Sequence, residues 1–358
     1  MEVNLERQNY TYGEIINQVE KWKIIYNDIT GKDFVLHLKI FSDKYDEIII
    51  FGCGSSYNLS KSASFFTKSM LPGQSCLALP SSELLINTDT YINENKKYLV
   101  VGFSRSGETT ESIKVVRLLK NRRNVTTFTF SCKENNTISK FSDHHFLCRG
   151  VTEKSIVMTV SFSSMLIAYC MILIKFLDKK KMLEEFKCLI EYLNANIAIL
   201  YDDIENYFKN NGTFNSYFVL GSGFNYGLAV EADLKMKEMS QTPSYSYHLY
   251  EFNHGPKSLI NEESLCLILT LSKDLFKKEE IIKEILDLGS KVLIIGRGNN
   301  INISDNNLKY LFPDFNFSFD IVGSFINIPV FHILAYIKTI KKNLNPDKPQ
   351  NLNYTVVI

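Results

Sequence analysis

Two stretches of this chain, IIIFGCGSSYNLSKSASFF from Ile48 and YFVLGSGFNYGLAVEADLK from Tyr217, follow one pattern. Each is an apolar run that stops at Gly-x-Gly, meets a tyrosine three residues later and continues as a helical pattern. Gly52 and Gly54 pair with Gly221 and Gly223, and Tyr57 with Tyr226, at a constant offset of 169. A third run in each half, VTTFTF and VLIIGR, keeps nearly that offset. A repeat of this length means two copies of one supersecondary unit. It limits the chain to folds that can be built twice.

The unit itself is legible. EIIIFG (47–52), YLVVGF (98–103), VTTFTF (125–130), SYFVLG (216–221), LCLILTL (265–271) and KVLIIG (291–296) are apolar at nearly every position. Such runs suit strands covered on both faces, which are those of parallel sheets. Helical patterns such as SIKVVRLLKNRR and KKEEIIKEILDLG separate them, so the chain reads as α/β. The expected architecture is two domains, each a parallel sheet flanked by helices in a three-layer, flavodoxin-like arrangement. The expected boundaries are a helical segment at 1–30, domains at 31–180 and 200–345, and a tail at 346–358. Residues 178–212 read as a long amphipathic helix joining the two.

Composition narrows the function. Of 358 residues 45% are hydrophobic, and 40 basic against 39 acidic residues leave a net charge of +1. No block of one sign occurs, so neither nucleic acid nor a membrane surface is an expected partner. Seven cysteines are scattered without a C-x-x-C and mostly within apolar runs, which fits free thiols in a reducing cytoplasm. The first ten residues have no apolar signal core. Ser155–Leu177 is long and apolar, but serine and threonine interrupt its first half, so it reads as a buried core helix.

The chemistry sits at strand ends. Gly-x-Gly before a helix lets backbone N–H groups approach a ligand, and the helix N-terminus favours an anion. Tyr57 stands where a dinucleotide fingerprint needs its third glycine, and no G-x-x-x-x-G-K-[ST] exists. A second loop, FSRSGETTES, places Ser104, Ser106 and Thr109 around Gly107 at the end of another strand. Ser106 could simply cap the helix that follows. Two hydroxyl-rich loops, Gly52–Ser56 with Gly54 and Ser55, and Ser104–Thr109, together favour a phosphate cradle. Further on, Glu231, Lys235 and Glu238 share one helix face, and Glu231–Lys235 alone reads as an ordinary helix ion pair. A carboxylate beside a cation and a histidine suffices for enolisation next to a carbonyl. Adjacent His144 and His145 point to opposite faces of a strand, so no metal site is expected, and no cofactor.

GCGSSY, FSRSGETTES and EADLKMKEMSQTPSYSYHLYEFNHGPKSLI resemble the sugar isomerase (SIS) domain family, from about residue 30 to the end. The likeness is to proteins with two such domains, including the isomerase half of glutamine–fructose-6-phosphate aminotransferase and stand-alone amino-sugar phosphate deaminases, isomerases and deglycases. The resemblance implies that Ser56, Ser104, Arg105, Ser106 and Thr109 hold a sugar phosphate, with Val157 and Thr159 lining the pocket. It implies that Glu238 moves a proton between C1 and C2, that His254 opens the sugar ring and that Lys235 lies beside the open-chain sugar. His248 is a weaker candidate. It also implies a homodimer or higher oligomer, with the site where domains meet.

Departures from the family matter. The chain starts with the SIS region, so glutamine-dependent transfer is not expected. Tyr354 stands where the aminotransferase has its imine-forming lysine. The second copy continues into TLSKDLFKK in place of an SGET loop, which assigns the phosphate to the first domain. The expectation is a cytoplasmic, metal-independent enzyme that deaminates, deglycates or isomerises an amino-sugar or fructosamine phosphate. The alternatives are a non-catalytic sugar-phosphate-binding regulator and an ammonia-dependent hexosamine-phosphate synthase.

Overall fold

The structure is a computed structural model, and it describes residues 8–31, 34, 40–41, 43–269, 278–295, 303–311 and 317–357. The chain divides into two compact units. The first comprises Asn17–Ile190 and Asn351–Ile358, the second Met1–Ile16 and Glu191–Gln350.

The first unit is built on β1 (Glu47–Gly52), β2 (Ser75–Pro80), β3 (Tyr98–Phe103), β4 (Val125–Ser131) and β5 (His144–Leu147). They form one sheet in the order β2-β1-β3-β4-β5, and every pairing is parallel. The three inner strands are the three apolar runs of the sequence. One face carries Ile49, Phe51, Tyr98 and Val100 against Val115 and Val116 of α6 (Thr110–Leu119). On α8 (Val160–Phe176), every residue from Val160 to Ile174 is buried. Its Tyr169 meets Phe103 and Phe130 at ring distances of 5.8 and 5.9 Å. Of the serines that interrupt this apolar run, Ser161 donates to the Glu153 carboxylate and Ser163 accepts from the Trp22 indole at 3.0 Å, while the buried Ser164 hydroxyl has no partner among the described residues.

The second unit contains β6 (Ser216–Gly221), β7 (Ser244–His248), β8 (Ser264–Leu269), β9 (Lys291–Ile295) and β10 (Leu308–Leu311). Their order, β10-β9-β8-β6-β7, reproduces the first sheet's topology, again with parallel pairings throughout. The core gathers Phe218, Leu220, Cys266, Ile268, Val292 and Ile294 with Ile281, Ile282 and Ile285 of α11 (Lys278–Asp287). Two parallel five-stranded sheets flanked by helices are the α/β architecture read from the repeat. In both copies the second glycine of Gly-x-Gly has φ near +54° with ψ near −124°, which a side chain resists. The first glycine lies against the next helix: a Cβ on Gly52 or Gly221 would come within 2.5 Å of backbone atoms of Ser56 or Asn225.

The chain ends exchange units. Helix α1 (Tyr10–Ile16) belongs to the second, where Thr11 donates through N–H and Oγ1 to Asp347 at 2.8 and 2.7 Å. Helix α2 (Gln18–Thr30) belongs to the first, and so does the tail from Asn351. The amphipathic stretch is one helix, α9 (Lys180–Asn211), which buries Phe186, Leu189, Leu193, Ile197, Leu200 and Ile204 along one stripe. Asp320–Lys341 is long and apolar enough to cross a membrane by length and composition, and 83% of its apolar window is buried within the protein.

Candidate active site

In the first sheet, β1 connects to β2 on one side, while β3, β4 and β5 add on the other. The crevice between the C-terminal ends of β1 and β3 is therefore the topological switch point, where open α/β sheets bind ligands. Both hydroxyl-rich loops end there, because β1 and β3 are hydrogen-bonded neighbours.

After β3 the loop keeps the ladder for one more residue: Ser104 N–H donates to Phe130 O at 3.1 Å. Gly107, at φ +67°, then turns the chain, and a Cβ there would meet Asn136 at 2.4 Å. Side chains hold the turn. Gly107 N–H reaches Ser104 Oγ at 3.2 Å and Glu108 N–H reaches Ser106 Oγ at 3.1 Å. Ser104 Oγ lies 3.4 Å from Thr109 Oγ1. The Ser106 hydroxyl thus accepts from its own loop and keeps its hydrogen for an incoming oxygen. Ser56, in the first turn of α3 (Ser55–Met70), is buried, and its hydroxyl has no hydrogen-bond partner among the described residues. Ser55 is buried beside it. Glu108 belongs to the scaffold. It accepts from Thr137 N–H and Oγ1 at 2.8 and 2.6 Å. Burial pushes its carboxyl upward, but those two bonds with Lys133 and Lys140 prevail and hold it below the usual range.

Arg105 has another partner set. Its guanidinium donates to the buried Glu153 carboxylate at 3.0 Å, to Ser155 O at 3.3 Å and to Tyr354 O at 2.7 Å. It also stacks on the Tyr354 ring, 3.8 Å from the centroid. The tail is tied further by Tyr354 Oη donating to Glu153 O at 3.1 Å, Thr355 Oγ1 to Ser106 Oγ at 3.3 Å and Thr110 N–H to Val356 O at 3.4 Å. Glu153 also accepts from Thr159 N–H at 2.6 Å, from its hydroxyl at 3.0 Å and from the Ser161 hydroxyl. One carboxylate therefore fixes Arg105, the loop holding Val157 and Thr159, and the start of α8. Sequence reasoning missed it; its signal is an acid six and eight residues before two hydroxyls at a helix start.

A separate cluster of charge lies within the second unit. Glu231, Lys235 and Glu238 lie on α10 (Phe224–Ser240). Lys235 is wholly buried, 3.3 Å from an equally buried Glu231, and in direct contact with Glu238, whose side chain stays 22% exposed. The Glu231–Lys235 pair is therefore no ordinary helix ion pair, since none of it reaches water. Burial acts to discharge Lys235, but Glu231 and Glu238 overcome that and hold its pKa above the ordinary lysine value. Burial and this ammonium together push His332 of α13 (Asn327–Lys341) well below the ordinary histidine value. That neighbour was not singled out from the sequence. His254 follows a 3₁₀ turn (Glu251–Asn253), donates its N–H to Glu251 O at 3.0 Å and leaves its ring exposed. No hydrogen bond or ion pair joins it to Glu238 among the described residues. His248, at the end of β7, lies 6.2 Å from the Tyr226 ring. TLSKDLFKK falls almost wholly outside the described residues, as 270–277 do. His145 spends both ring nitrogens on Thr129 and Ser131 hydroxyls at 2.9 and 3.1 Å.

Comparison with known proteins agrees with this picture. The family model described as "SIS domain" matches residues 40–175 and 215–333, one segment in each unit. Glutamine–fructose-6-phosphate aminotransferase (isomerizing) of Haemophilus influenzae is 27% identical over 328 residues, 88% of this chain and 52% of its own length. The chain spans about half the length of the curated relatives it matches. Among solved structures, glucosamine-6-phosphate deaminase from Thermotoga maritima superposes with a TM-score of 0.80 at 29% identity, covering 98% of this chain and all of that one. Tagatose-6-phosphate ketose/aldose isomerase from Escherichia coli gives 0.83 at 22% identity, covering 98% and 96%, a likeness of fold. With matched segments that take in most of both sheets, and the hydroxyl loop and charged helix inside them, this chain belongs to the SIS domain family.

Proposed function

We propose that this protein is a cytoplasmic phosphosugar enzyme that removes the amine from an amino-sugar or fructosamine phosphate. The observation that carries the reading is the wholly buried Lys235 held against the partly exposed carboxylate of Glu238. An ammonium in a water-free site is costly unless it is paired, and one held beside an accessible carboxylate suits the stabilisation of charge that develops during proton transfer next to a carbonyl.

For a 2-amino aldose phosphate the steps follow. Ser56, Ser104, Ser106 and Thr109 hold the phosphate. The exposed His254 assists ring opening, and a homodimer completes the site. Glu238 takes the proton from C2 of the open-chain sugar and returns it to C1, while Lys235 hydrogen-bonds the charge that builds on oxygen. The product is a C2 imine. Water adds to it and ammonia leaves, giving the ketose phosphate. A fructosamine phosphate uses the same base with the carbonyl and nitrogen exchanged between C1 and C2, and releases the amine. Whole-chain likeness to a glucosamine-6-phosphate deaminase supports amine removal. Tyr354 argues against synthesis through a lysine imine, since a tyrosine has no amine with which to form one.

The test is turnover of a panel of hexosamine, fructosamine and ketose 6-phosphates, read as amine release and as aldose–ketose exchange. Release of ammonia or amine without added metal is the expected result. Binding of these phosphates with no turnover of any would replace the reading with a sugar-phosphate sensor.

A further inference from the structure

Two of the seven cysteines stand opposite each other on neighbouring strands of the first unit. Cys132 follows β4 by one residue, and Cys148 follows β5 by one residue. The last paired residues are Ser131 and Leu147, and Cys148 N–H donates to Ser131 O at 2.8 Å. The parallel ladder therefore runs one step further and sets Cys132 beside Cys148. Opposed residues on adjacent strands point to one face, with the strands about 4.8 Å apart. That separation lies within the roughly 4.4–6.8 Å between Cα atoms that a disulfide spans. The two thiols are hydrogen-bonded to each other. Cys148 is buried, whereas Cys132 is half-buried and lines a cavity of about 320 Å³ rimmed by the exposed Lys133 and Arg149. A small reagent can reach one sulfur of the pair.

Both strand ends are bonded to the hydroxyl loop. Cys132 N–H donates to Arg105 O at 3.0 Å. Asn136, four residues later, lies against Gly107. From Cys148 the chain turns through Val151, whose N–H donates to Cys148 O at 3.3 Å, and reaches Glu153, which holds the Arg105 guanidinium at 3.0 Å. Arg105 stands between Ser104 and Ser106. One residue of the loop is thus held by its carbonyl from one strand end and by its side chain from the other.

We propose that Cys132 and Cys148 form a reversible disulfide whose closure disturbs the hydroxyl loop and weakens its hold on phosphate. The crosslink does not depend on the amine-removing function above; its effect on binding rests on the phosphate reading of the loop. The oxidant is a low-molecular-weight disulfide of the glutathione class. Cys132, as a thiolate, attacks one sulfur of it and expels the other as a thiolate, which takes up a proton. Cys148 then gives up its proton, attacks the Cys132 sulfur and expels the second small thiol. Two protein thiols are oxidised to one disulfide, one small disulfide is reduced to two thiols, and two protons pass to them. The hydrogen bond to Cys148 and burial push the Cys132 thiol well above its ordinary value, with Glu153 adding to the rise and Arg105 opposing it. Exchange is therefore slow near neutrality, which sets this pair apart from a catalytic thiol. Disulfides of proteins in a reducing compartment are typically of this transient, redox-responsive kind.

The full chain is equilibrated in glutathione buffers of rising oxidised-to-reduced ratio, quenched in acid, alkylated and mapped by mass spectrometry. The proposal expects a peptide pair joined through Cys132 and Cys148 to appear as the ratio rises and to vanish with dithiothreitol. It expects inorganic phosphate, titrated calorimetrically, to bind the oxidised protein about tenfold more weakly, the size of one displaced hydrogen bond to a charged group. Cys132→Ala and Cys148→Ala should each bind phosphate like the reduced wild type at every ratio. Absence of the joined pair at equilibrium in the most oxidising buffer would overturn the proposal. So would a joined pair with unchanged phosphate binding, or the same weakening in Cys148→Ala. If neither form of the wild type binds phosphate, the reading of the loop fails and its redox control with it, while the joined peptide still decides whether the crosslink forms.

Discussion

In the alignment of the two copies, α3 and α10 pair Ser62 with Glu231, Phe66 with Lys235 and Ser69 with Glu238. Phe66 is fully buried, and so is Lys235. The fold asks for a large side chain in the interior at that position, and an aromatic ring satisfies it. The second copy buries an ammonium there, with a carboxylate on either side. The topology, the Gly-x-Gly turns and the strand order are common to both units. The hydroxyl loop and the charged helix have each been placed in one of them. What the units share therefore reads as architecture, and the proposed chemistry lies where they differ.

The comparison breaks most visibly at Lys235. Lys235→Met leaves the buried Glu231 carboxylate uncompensated and should cost about 3–5 kcal/mol of stability in a denaturant titration. Glu231→Ser with Lys235→Phe copies the first unit and should recover that loss while leaving turnover abolished. A double variant that stays as unstable as Lys235→Met would mean that the charges serve the fold. Next comes the loop found in the first unit. Ser106→Ala removes a hydroxyl expected to donate to phosphate, about 1.5–3 kcal/mol, so inorganic phosphate and substrate should bind tenfold or more weakly with kcat little changed. A fall in kcat alone would place Ser106 elsewhere in the reaction.

The shared feature should respond alike in both units. Gly54→Ala and Gly223→Ala each force a side chain into left-handed backbone, at about 1–2 kcal/mol. Clearly unequal losses would show that the turns are not equivalent. A further effect concerns pH. Lys338 donates to Phe214 O at 2.6 Å, and burial, with Lys342 and Lys341, pulls its pKa down to about 8. The unfolded chain then holds the proton more tightly, so the stability contributed by this group rises as pH climbs from 8 toward 10.5, the ordinary value. The urea midpoint should rise over that window in the wild type relative to Lys338→Met. Parallel curves would contradict the assignment.

The six inner strands were readable because both faces of each are covered, leaving unbroken apolar runs. The four edge strands were not. β2 as SCLALP, β5 as HHFL, β7 as SYSYH and β10 as LKYL are short, and much of each remains outside the core. Edge strands lose one neighbour, and with it the reason to be apolar. In the candidate site, the loop around Gly107 was legible as a turn because serine hydroxyls beside a glycine at a strand end satisfy the loop's own N–H groups. Glu153 was not, since its partner Arg105 lies 48 residues earlier and a lone acid in TEKS resembles a solvated one. Nor does the sequence show that Arg105, expected at the phosphate, also ties the tail through Tyr354 O. The buried state of Lys235 depends on tertiary packing that an i, i+4 spacing does not encode.

The central claim is that Glu238 moves the proton between C1 and C2 of the sugar phosphate. It is tested most directly by turnover in deuterium oxide, with deuterium followed at C1 and C2 of the sugar. The account predicts that Glu238→Gln binds substrate as tightly as the wild type but incorporates deuterium about 100-fold more slowly or less, the range expected for loss of a general base. Undiminished incorporation in Glu238→Gln would contradict it.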